Sequence, residues 1–367
     1  MIQVFTPDVG DEEIEAVAEV IRSKWIGLGP KTKQFEDEFS EFIGCDHAVG
    51  VNSCTAALDL ALRLLDIAPG DEVLVPTITF VSTAHAVAYN GAKPVFVDCD
   101  PATLNMNIED IARKVNKNTK AIITVHYGGR PNDLYKIREV MGDIPIIEDA
   151  AHAAGSVYKG RRCGSIGDLA CFSFHAVKNI SIGDGGCLTT SIDAYAERAK
   201  KMRWLGIDKG TWDRTGDDRS YWWQYNVSEI GLKCHMNDIM AAMALVQLKK
   251  LEGANGRRRQ IKDMYMAGLA GVVELPVDDD EDFQSSWHIF HIKTDKRNDL
   301  GVFLKEKGVN TGVHYMPIHL YDCYGVDIRL PEAERVSQRL LSLPMHPCLS
   351  DEDVNLVIDS VREFHGC

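Results

Sequence analysis

Apolar positions along this chain recur with two periods, and the alternation between them predicts the fold class. In DEEIEAVAEVIRSK (11–24), Ile14, Val17, Val20 and Ile21 are spaced for one face of a helix, and acids fill the first turn, where the helix dipole favours them. A Gly/Pro turn in WIGLGPKTKQFEDEFSEFIG (25–44) feeds a second amphipathic helix. HAVGVNSC (47–54) reads as a short strand ending in small residues, and TAALDLALRLLDI (55–67) as a strong helix with Ser53 or Thr55 at its N-cap. Short β-branched runs then alternate with helical stretches. DEVLVPTIT (71–79), KPVFVDCD (93–100), KAIITVHYG (120–128), IPIIEDA (144–150), LACFSF (169–174) and GGCLTTS (185–191) predict strands, and VSTAHAVAYNG (81–91) a helix closed by glycine. Near-continuous apolar strands separated by helices predict a mostly parallel sheet in an α/β fold.

Two long helical stretches follow, one around MNDIMAAMALVQLKKLEG (236–253) and the next over RRRQIKDMYMAGLAG (257–271). From about 280 the pattern changes. SSWHIFHIKT (285–294) reads as an amphipathic strand, LGVFLKEKG (300–308) as a helix and VNTGVHYMP (309–317) as another strand. EAERVSQRLLSL (332–343) and DEDVNLVIDSVREF (351–364) both read as helical. The pattern predicts a smaller α+β layer after the sheet, and the sequence carries no internal repeat.

Composition narrows the function classes. A chain of 367 residues exceeds one simple core and predicts about two domains. The formal net charge of -14 argues against a nucleic-acid surface, which needs a basic footprint. It leaves room for small anionic ligands, because a local nest of backbone N–H groups binds phosphate inside an acidic protein. None of the ten cysteines forms a C-x-x-C pair, so no zinc ribbon or other metal site is expected, and their apolar surroundings suit reduced thiols. The opening MIQVFTPDVGDEE lacks a basic segment followed by an apolar one, and no apolar run reaches membrane-spanning length. A cytoplasmic setting is the expectation.

In open α/β sheets, ligands gather outside the carboxyl ends of the strands, and four stretches fall there. NSCTAAL (52–58) ends a strand and opens a helix, which makes either an ordinary N-cap or a phosphate site. IIEDAAHAAG (146–155) ends an apolar strand in Glu148 and Asp149; a carboxylate there needs a cation or hydrogen-bond donors, or caps the next segment. His152, three residues on, reads by itself as a core histidine. PTITFVSTA (76–84) places Phe80 past a strand, as a core ring or a stacking surface. ACFSFHAVKNISIGDGG (170–186) stops an apolar run at a histidine and brings Lys178 to the mouth of a glycine-rich turn, with Ser173 five residues before it. Most lysines only lie along the surface. Yet a phosphate cradle, a carboxylate, a flat ring and an amine together suit pyridoxal phosphate. Its phosphate needs anion donors, its aldehyde an amine, and its ring nitrogen a carboxylate that keeps it protonated. The competing nucleotide signatures G-x-x-x-x-G-K-[ST] and G-x-G-x-x-G are missing.

These motifs, in this order, resemble the DegT/DnrJ/EryC1/StrS family of sugar aminotransferases. The resemblance runs nearly end to end, through GLGPKTKQFEDEF (27–39), VNSCTAALDLAL (51–62), VPTITFVSTAHAV (75–87), the whole of 146–186, GVHYMPIHL (312–320) and LSLPMHPCLSDEDV (341–354). It implies an aspartate-aminotransferase-like fold of type I. A large cofactor-binding domain with an N-terminal helical arm would span 1–254, and a small α+β domain 255–367. The resemblance further implies that Lys178 bonds pyridoxal 5'-phosphate and then carries protons, and that Asp149 pairs with the pyridine nitrogen. Phe80 would stack on the ring and His152 lie beside it, with Ser53, Cys54, Thr55, Ala56 and Ser173 at the phosphate. His314, Tyr315 and His319 would meet the substrate. The site would be shared across a homodimer, with L-glutamate as donor and a nucleotide-linked keto sugar, most often a 4-keto-6-deoxy hexose, as acceptor.

Other readings stay open at this stage: a 3-keto sugar or aminocyclitol precursor as acceptor, a sugar dehydratase, or a cofactor-binding sensor. Dehydratase relatives carry histidine where this chain has Lys178, and sensors usually add a DNA-binding module, which is not visible. EIGLKCHMNDI (229–239) departs from the family. Lys233 stands where asparagine commonly reaches the neighbouring subunit's phosphate, and His235 where arginine is common. A lysine can make that contact as a point charge, so Lys233 is assigned to the cofactor. GTWDRTGDDRSYWWQYNV (210–227) reads as a surface loop or as a wall over a nucleotide, and GRRRQ (256–260) as the solvated start of a helix.

Overall fold

The computed structural model describes residues 1–208 and 225–367, and a seven-stranded sheet forms its centre. Helices α1 (Asp11–Ser23) and α2 (Pro30–Ile43) precede β1 (His47–Val51). The chain then alternates through α3 (Cys54–Leu64), β2 (Glu72–Pro76), α4 (Ser82–Tyr89), β3 (Lys93–Val97), α5 (Ile108–Lys114), β4 (Thr119–Val125), α6 (Leu134–Met141) and β5 (Ile146–Asp149). Two-residue strands β6 (Val157–Tyr158) and β7 (Arg161–Arg162) lead to β8 (Leu169–Ser173), β9 (Gly186–Thr190) and α7 (Asp193–Met202). The strand order is β1-β9-β8-β5-β4-β2-β3. Every pairing from β3 to β8 is parallel, whereas β9 runs antiparallel to both β8 and β1. The mostly parallel α/β sheet expected from the apolar runs is therefore present.

Pleating sends successive side chains to opposite faces. Val73, Val75, Ile123 and Ile147 pack with α3 and α4 residues such as Leu58 and Val87. Leu74, Ile122 and Ile146 pack on the other face with Ile111 of α5 and Ile137 of α6. Neighbours in sequence thus enter different cores, which decides the roles of Glu148 and Asp149 below.

The two helices expected over 236–253 and 257–271 are one, α8 (Asp238–Leu269), of 32 residues. Asn237 caps it by accepting from the Met240 N–H at 3.0 Å. Glycines inside a helix cost about 1 kcal/mol each against alanine, and Gly253 and Gly256 stand where the two stretches meet. Packing outweighs that cost. Leu245, Leu248 and Leu251 join the core that contains Phe35, Phe39 and Phe172, while Ile261, Tyr265 and Leu269 join a second core with Phe290 and Leu343. GRRRQ accordingly lies in mid-helix, not at a solvated start, and Arg258 is only 4% exposed. A division of the chain near 255 falls inside this continuous helix.

The second core is built on β11 (Phe290–Lys293), paired antiparallel with β12 (Leu340–Leu343) and covered by α9 (Arg297–Glu306) and α11 (Asp351–His365). β10 (Phe283–Gln284) joins β6 instead. The helix expected over 332–343 ends early, as α10 (Pro331–Ser337), because Leu340, Leu341 and Leu343 are buried in a ladder with β11. The strand expected over 309–317 is also absent: only Val309 and Gly312 make isolated bridges, to Ile2 and Ser342. That stretch leaves the small layer and crosses to the sheet, where the Ile318 N–H donates to the Thr77 carbonyl at 2.8 Å. All ten cysteines are free thiols. Among the described residues no helix is long and apolar enough to cross a membrane.

Candidate active site

β5 ends in two carboxylates that face opposite ways. Glu148 is fully buried on the α5/α6 side. It accepts from His126 Nε2 at 2.8 Å and from the N–H groups of Gly164, Ile166 and Gly167 at 2.8, 2.9 and 2.6 Å. The Asn132 N–H donates to His126 Nδ1 at 3.0 Å, so that ring's proton sits on Nε2 and goes to Glu148. Asp149 points to the α3/α4 side. Its donors are the Thr83 hydroxyl at 2.9 Å, the Ala151 N–H at 3.2 Å and the Cys54 thiol at 3.9 Å. Burial raises its pKa, and Thr83, Ala151 and nearby Lys178 offset this only in part. A buried carboxylate held this loosely has capacity for a further donor.

Lys178 leaves the turn between β8 and β9. Its backbone is pinned: its N–H donates to the His175 carbonyl at 2.8 Å and its carbonyl accepts from the Ser181 hydroxyl at 2.7 Å. Asn179 ties the same turn to α8 by donating to Asn255 at 2.9 Å. The side chain has no hydrogen bond or ion pair among the described residues. Burial pulls its pKa down to about 8, against the opposing pull of Asp149 and Cys54. The amine is thus partly deprotonated near neutral pH, the state in which an amine attacks a carbonyl.

The start of α3 lies beside this pair. The Ser53 hydroxyl accepts from the Ala56 N–H at 3.1 Å, which confirms the cap expected there. Among the described residues the Cys54 and Thr55 N–H groups have no acceptor, at the positive end of the helix. A Cβ at Gly186 would come within 2.5 Å of the Ser53 carbonyl carbon, so glycine is what lets β9 and this helix start meet. Ser173 pairs with Gly186 across the ladder and faces the same corner. Free N–H groups and hydroxyls here, the Asp149 carboxylate and the Lys178 amine match the phosphate, ring nitrogen and aldehyde of pyridoxal phosphate.

A wall of rings closes the far side. Tyr315 Oη lies 3.3 Å from His152 Nε2, and the two rings stack with centroids 6.2 Å apart. Phe80, 59% exposed, sits 6.3 Å from Tyr315 and offers a free face. Behind His152 stand His288, at 4.5 Å, and then Phe5, stacked on His288 at 5.0 Å. Burial and Lys178 keep His152, His288 and His314 neutral, with His314 held down to about 4. His152 Nδ1 is buried with no partner.

The structure therefore brings Lys178, Asp149, Ser53, Cys54, Thr55, Ala56, Ser173, His152, Tyr315 and Phe80 to one end of the sheet. His314 stands at the edge, its Nδ1 bound to the Ser342 hydroxyl at 2.9 Å. His319 is 3% exposed and engaged elsewhere, by the Thr77 hydroxyl at 2.6 Å and Glu334 at 3.5 Å. Lys233 is not gathered with them either. Its ammonium lies 3.0 Å above the Trp204 ring centre, and His235 meets that indole edge-on at 4.2 Å. Up to residue 224, the 210–227 stretch falls outside the described residues. The sequence reading passed over Thr83, the closest donor to Asp149, although a hydroxyl in the first turn of a helix just past a strand end was a usable signal.

The chain matches the DegT/DnrJ/EryC1/StrS aminotransferase family over residues 7–362. It is 38% identical to the dTDP-4-dehydro-2,3,6-trideoxy-D-glucose 4-aminotransferase of Saccharopolyspora spinosa, across 99% of this chain and 96% of that one. The crystal structure of the aminotransferase TlmJ from Streptoalloteichus hindustanus superposes with a TM-score of 0.93 at 40% identity, covering 99% of this chain and 98% of the other. Spr1654 from Streptococcus pneumoniae, in its PMP-form, gives 0.94 at 32% identity over 100% and 99% of the two chains.

Proposed function

This chain belongs to the DegT/DnrJ/EryC1/StrS aminotransferase family, whose cofactor is pyridoxal phosphate, and from that premise we propose that it moves an amino group from L-glutamate to a nucleotide-linked 4-keto-6-deoxy hexose. The 4-dehydro sugar nucleotide named for the Saccharopolyspora spinosa relative supports the acceptor class. The observation that carries the reading is the pairing of an unpartnered amine at Lys178, with its pKa lowered to about 8, and an under-bonded carboxylate at Asp149 on one face of the sheet end.

When bound, pyridoxal phosphate supplies an aldehyde that takes up amines and a ring that withdraws electrons from the carbon beside it. The rest falls to the chain. Lys178 would hold the cofactor through its amine. Once free, that amine would act as general base and then acid, taking the proton from the donor's α-carbon and, in the second half-reaction, giving one to the sugar carbon that receives nitrogen. Asp149 would accept the hydrogen bond of the protonated ring nitrogen, its carboxylate oriented by Thr83 and Ala151. The Cys54 and Thr55 N–H groups at the start of α3, with Ser53, Ala56 and Ser173 around them, would hold the phosphate. Phe80 would cover one ring face and His152 stand by the ring, with His314 and Tyr315 bordering the acceptor.

The site is read as shared between two copies of the chain. Lys233 and Trp204 stand on paired segments that also carry Leu205, Val227 and Ile230, which are 45%, 53% and 94% exposed. Apolar side chains this exposed next to a cation suit a partner surface, from which Lys233 would reach the partner's phosphate.

The test incubates the enzyme with L-glutamate and a panel of nucleotide-linked keto sugars, with mass spectrometry for the product. Amination of a 4-keto-6-deoxy hexose with release of 2-oxoglutarate is expected. Amination confined to a 3-keto sugar or a cyclic polyol ketone would contradict the acceptor.

A further inference from the structure

Arg258, in the middle of α8, is buried without a partner. It is 4% exposed, and its Nε and Nη1 have no hydrogen bond among the described residues. No carboxylate lies within ion-pair distance of it among the described residues. An uncompensated buried guanidinium is costly, and burial lowers its pKa only to about 10, so it stays charged at neutral pH. Three other arginines do not share this state: Arg130 reaches the Asp278 carbonyl, Arg162 pairs with Glu252, and Arg257 pairs with Asp351.

Arg258 faces a small cavity beside the Lys178 turn. It lines one small cavity with Lys178, Asn179, Ser181, Thr6 and Asp8. His288, 2% exposed, carries a second unpartnered nitrogen, Nδ1, and its protonation is disfavoured first by burial and then by Lys178, with Arg258 adding to both. Lys250, also on the cavity, is already neutralised by Glu12 and Glu13 at 2.9 Å each. Asp8 is the one carboxylate on the lining, and its backbone carbonyl is engaged by Gln247. The cavity is about 10 Å³, room for roughly one oxygen atom or water, so it takes the end of a ligand and not a whole one.

Every amino acid that gives up its amine at Lys178 carries a carboxylate. We propose that Arg258 is the carboxylate-binding residue for the amino donor. This rests on the transamination reading above. A guanidinium is suited to the role, because its fork matches a carboxylate in two parallel hydrogen bonds. The sugar acceptor has no carboxylate, so Arg258 separates the two substrates that share the site: it acts in the donor half-reaction and is idle in the other.

The test uses the cofactor-loaded enzyme, wild type and with Arg258→Gln or Arg258→Lys. Each half-reaction is followed in single turnovers by the loss or return of the cofactor's yellow absorption. L-Glutamate is compared with its two monoamides, isoglutamine and glutamine. In the wild type, one amide should be about 30-fold slower than glutamate, the weight of a charge-assisted pair. In Arg258→Gln, glutamate should fall by about the same factor, and the penalty for that amide should shrink to within about threefold, as two partners of one interaction require. The sugar half-reaction should change less than about threefold. Calorimetric binding of succinate, an unreactive dicarboxylate, should weaken in Arg258→Gln and recover in part in Arg258→Lys.

Equal losses in both half-reactions, or an amide penalty unchanged in the variant, would overturn the assignment and make Arg258 structural. If the glutamine variant does not fold, the lysine variant and succinate binding decide by the same comparison. A wild-type enzyme that no amino acid converts would overturn the transamination reading itself. A wild type that is converted by glutamate, with variants that behave identically, would overturn only the role of Arg258.

Discussion

Glu148 and Asp149 are adjacent on one strand, equally buried, and built for opposite purposes. Glu148 accepts four hydrogen bonds, from His126 and three backbone N–H groups. Burial pushes its pKa up, but those donors outweigh burial and hold it below the ordinary value. Asp149 has fewer and longer contacts, and burial prevails there. The pleat of the strand produces this division, by sending one carboxylate to the α5/α6 side and the other to the side of Lys178 and the start of α3. A saturated charge holds a structure still. An under-bonded one is free to meet a ligand. The same contrast separates Arg203, paired with Glu36 and the Gly50 carbonyl, from unpaired Arg258.

Substitutions on the two faces should therefore fail differently. Lys178→Ala, on the reacting face, should lower turnover by at least about 10³-fold, since proton transfer alone contributes about 10² to 10⁴. Its thermal midpoint should not fall, because a buried unpartnered amine is removed; a midpoint lowered by many degrees would assign Lys178 to the scaffold. Glu148→Ala, on the saturated face, strands His126 and three N–H groups and should cost about 3–5 kcal/mol of stability by denaturant titration. The folded fraction that remains should still turn over. Asp149→Asn should show the reverse: stability nearly unchanged, cofactor retained, and a rate about 100-fold lower, the scale of one lost transition-state contact. A rate loss under threefold would mean that Asp149 is only a helix cap.

Two smaller effects sharpen the contrast. Lys233→Ala should weaken cofactor retention about tenfold in equilibrium dialysis and loosen the proposed dimer in sedimentation, as the loss of one charge-assisted contact predicts. Unchanged retention would leave Lys233 as a lysine resting on Trp204. Capture of pyridoxal phosphate by the cofactor-free protein should depend on pH through Lys178. Its lowered pKa means that the neutral amine grows as pH rises, is half formed near 8 and is nearly complete about one unit above, so the capture rate should climb through 8 and level near 9. A climb that continues toward 10 would show an ordinary surface lysine.

The parallel sheet and the ends of its strands were legible in the sequence because β-branched runs and glycine turns mark them locally. Lys178, Asp149 and Ser53 stand at such ends. That Asp149, and not Glu148, turns toward Lys178 was not legible from the pair alone, since the choice depends on which helices cover which face. Arg258 was hidden by its neighbours: RRR looks solvated, yet Leu251, Arg258 and Tyr265 recur every seven residues along the buried side of α8. Counting that arginine as a position in the stripe would have found it. The strand β12 was missed because SQRLLSL has helical spacing, and only its ladder with β11 makes it extended.

The central claim is that the cofactor bonds Lys178 on the Asp149 face. Borohydride reduction of the cofactor-loaded enzyme, followed by proteolysis and mass spectrometry, tests it most directly. The account predicts a single pyridoxyl adduct, on Lys178. An adduct on another lysine, or protein that keeps its cofactor and activity through reduction with Lys178 unmodified, would contradict it.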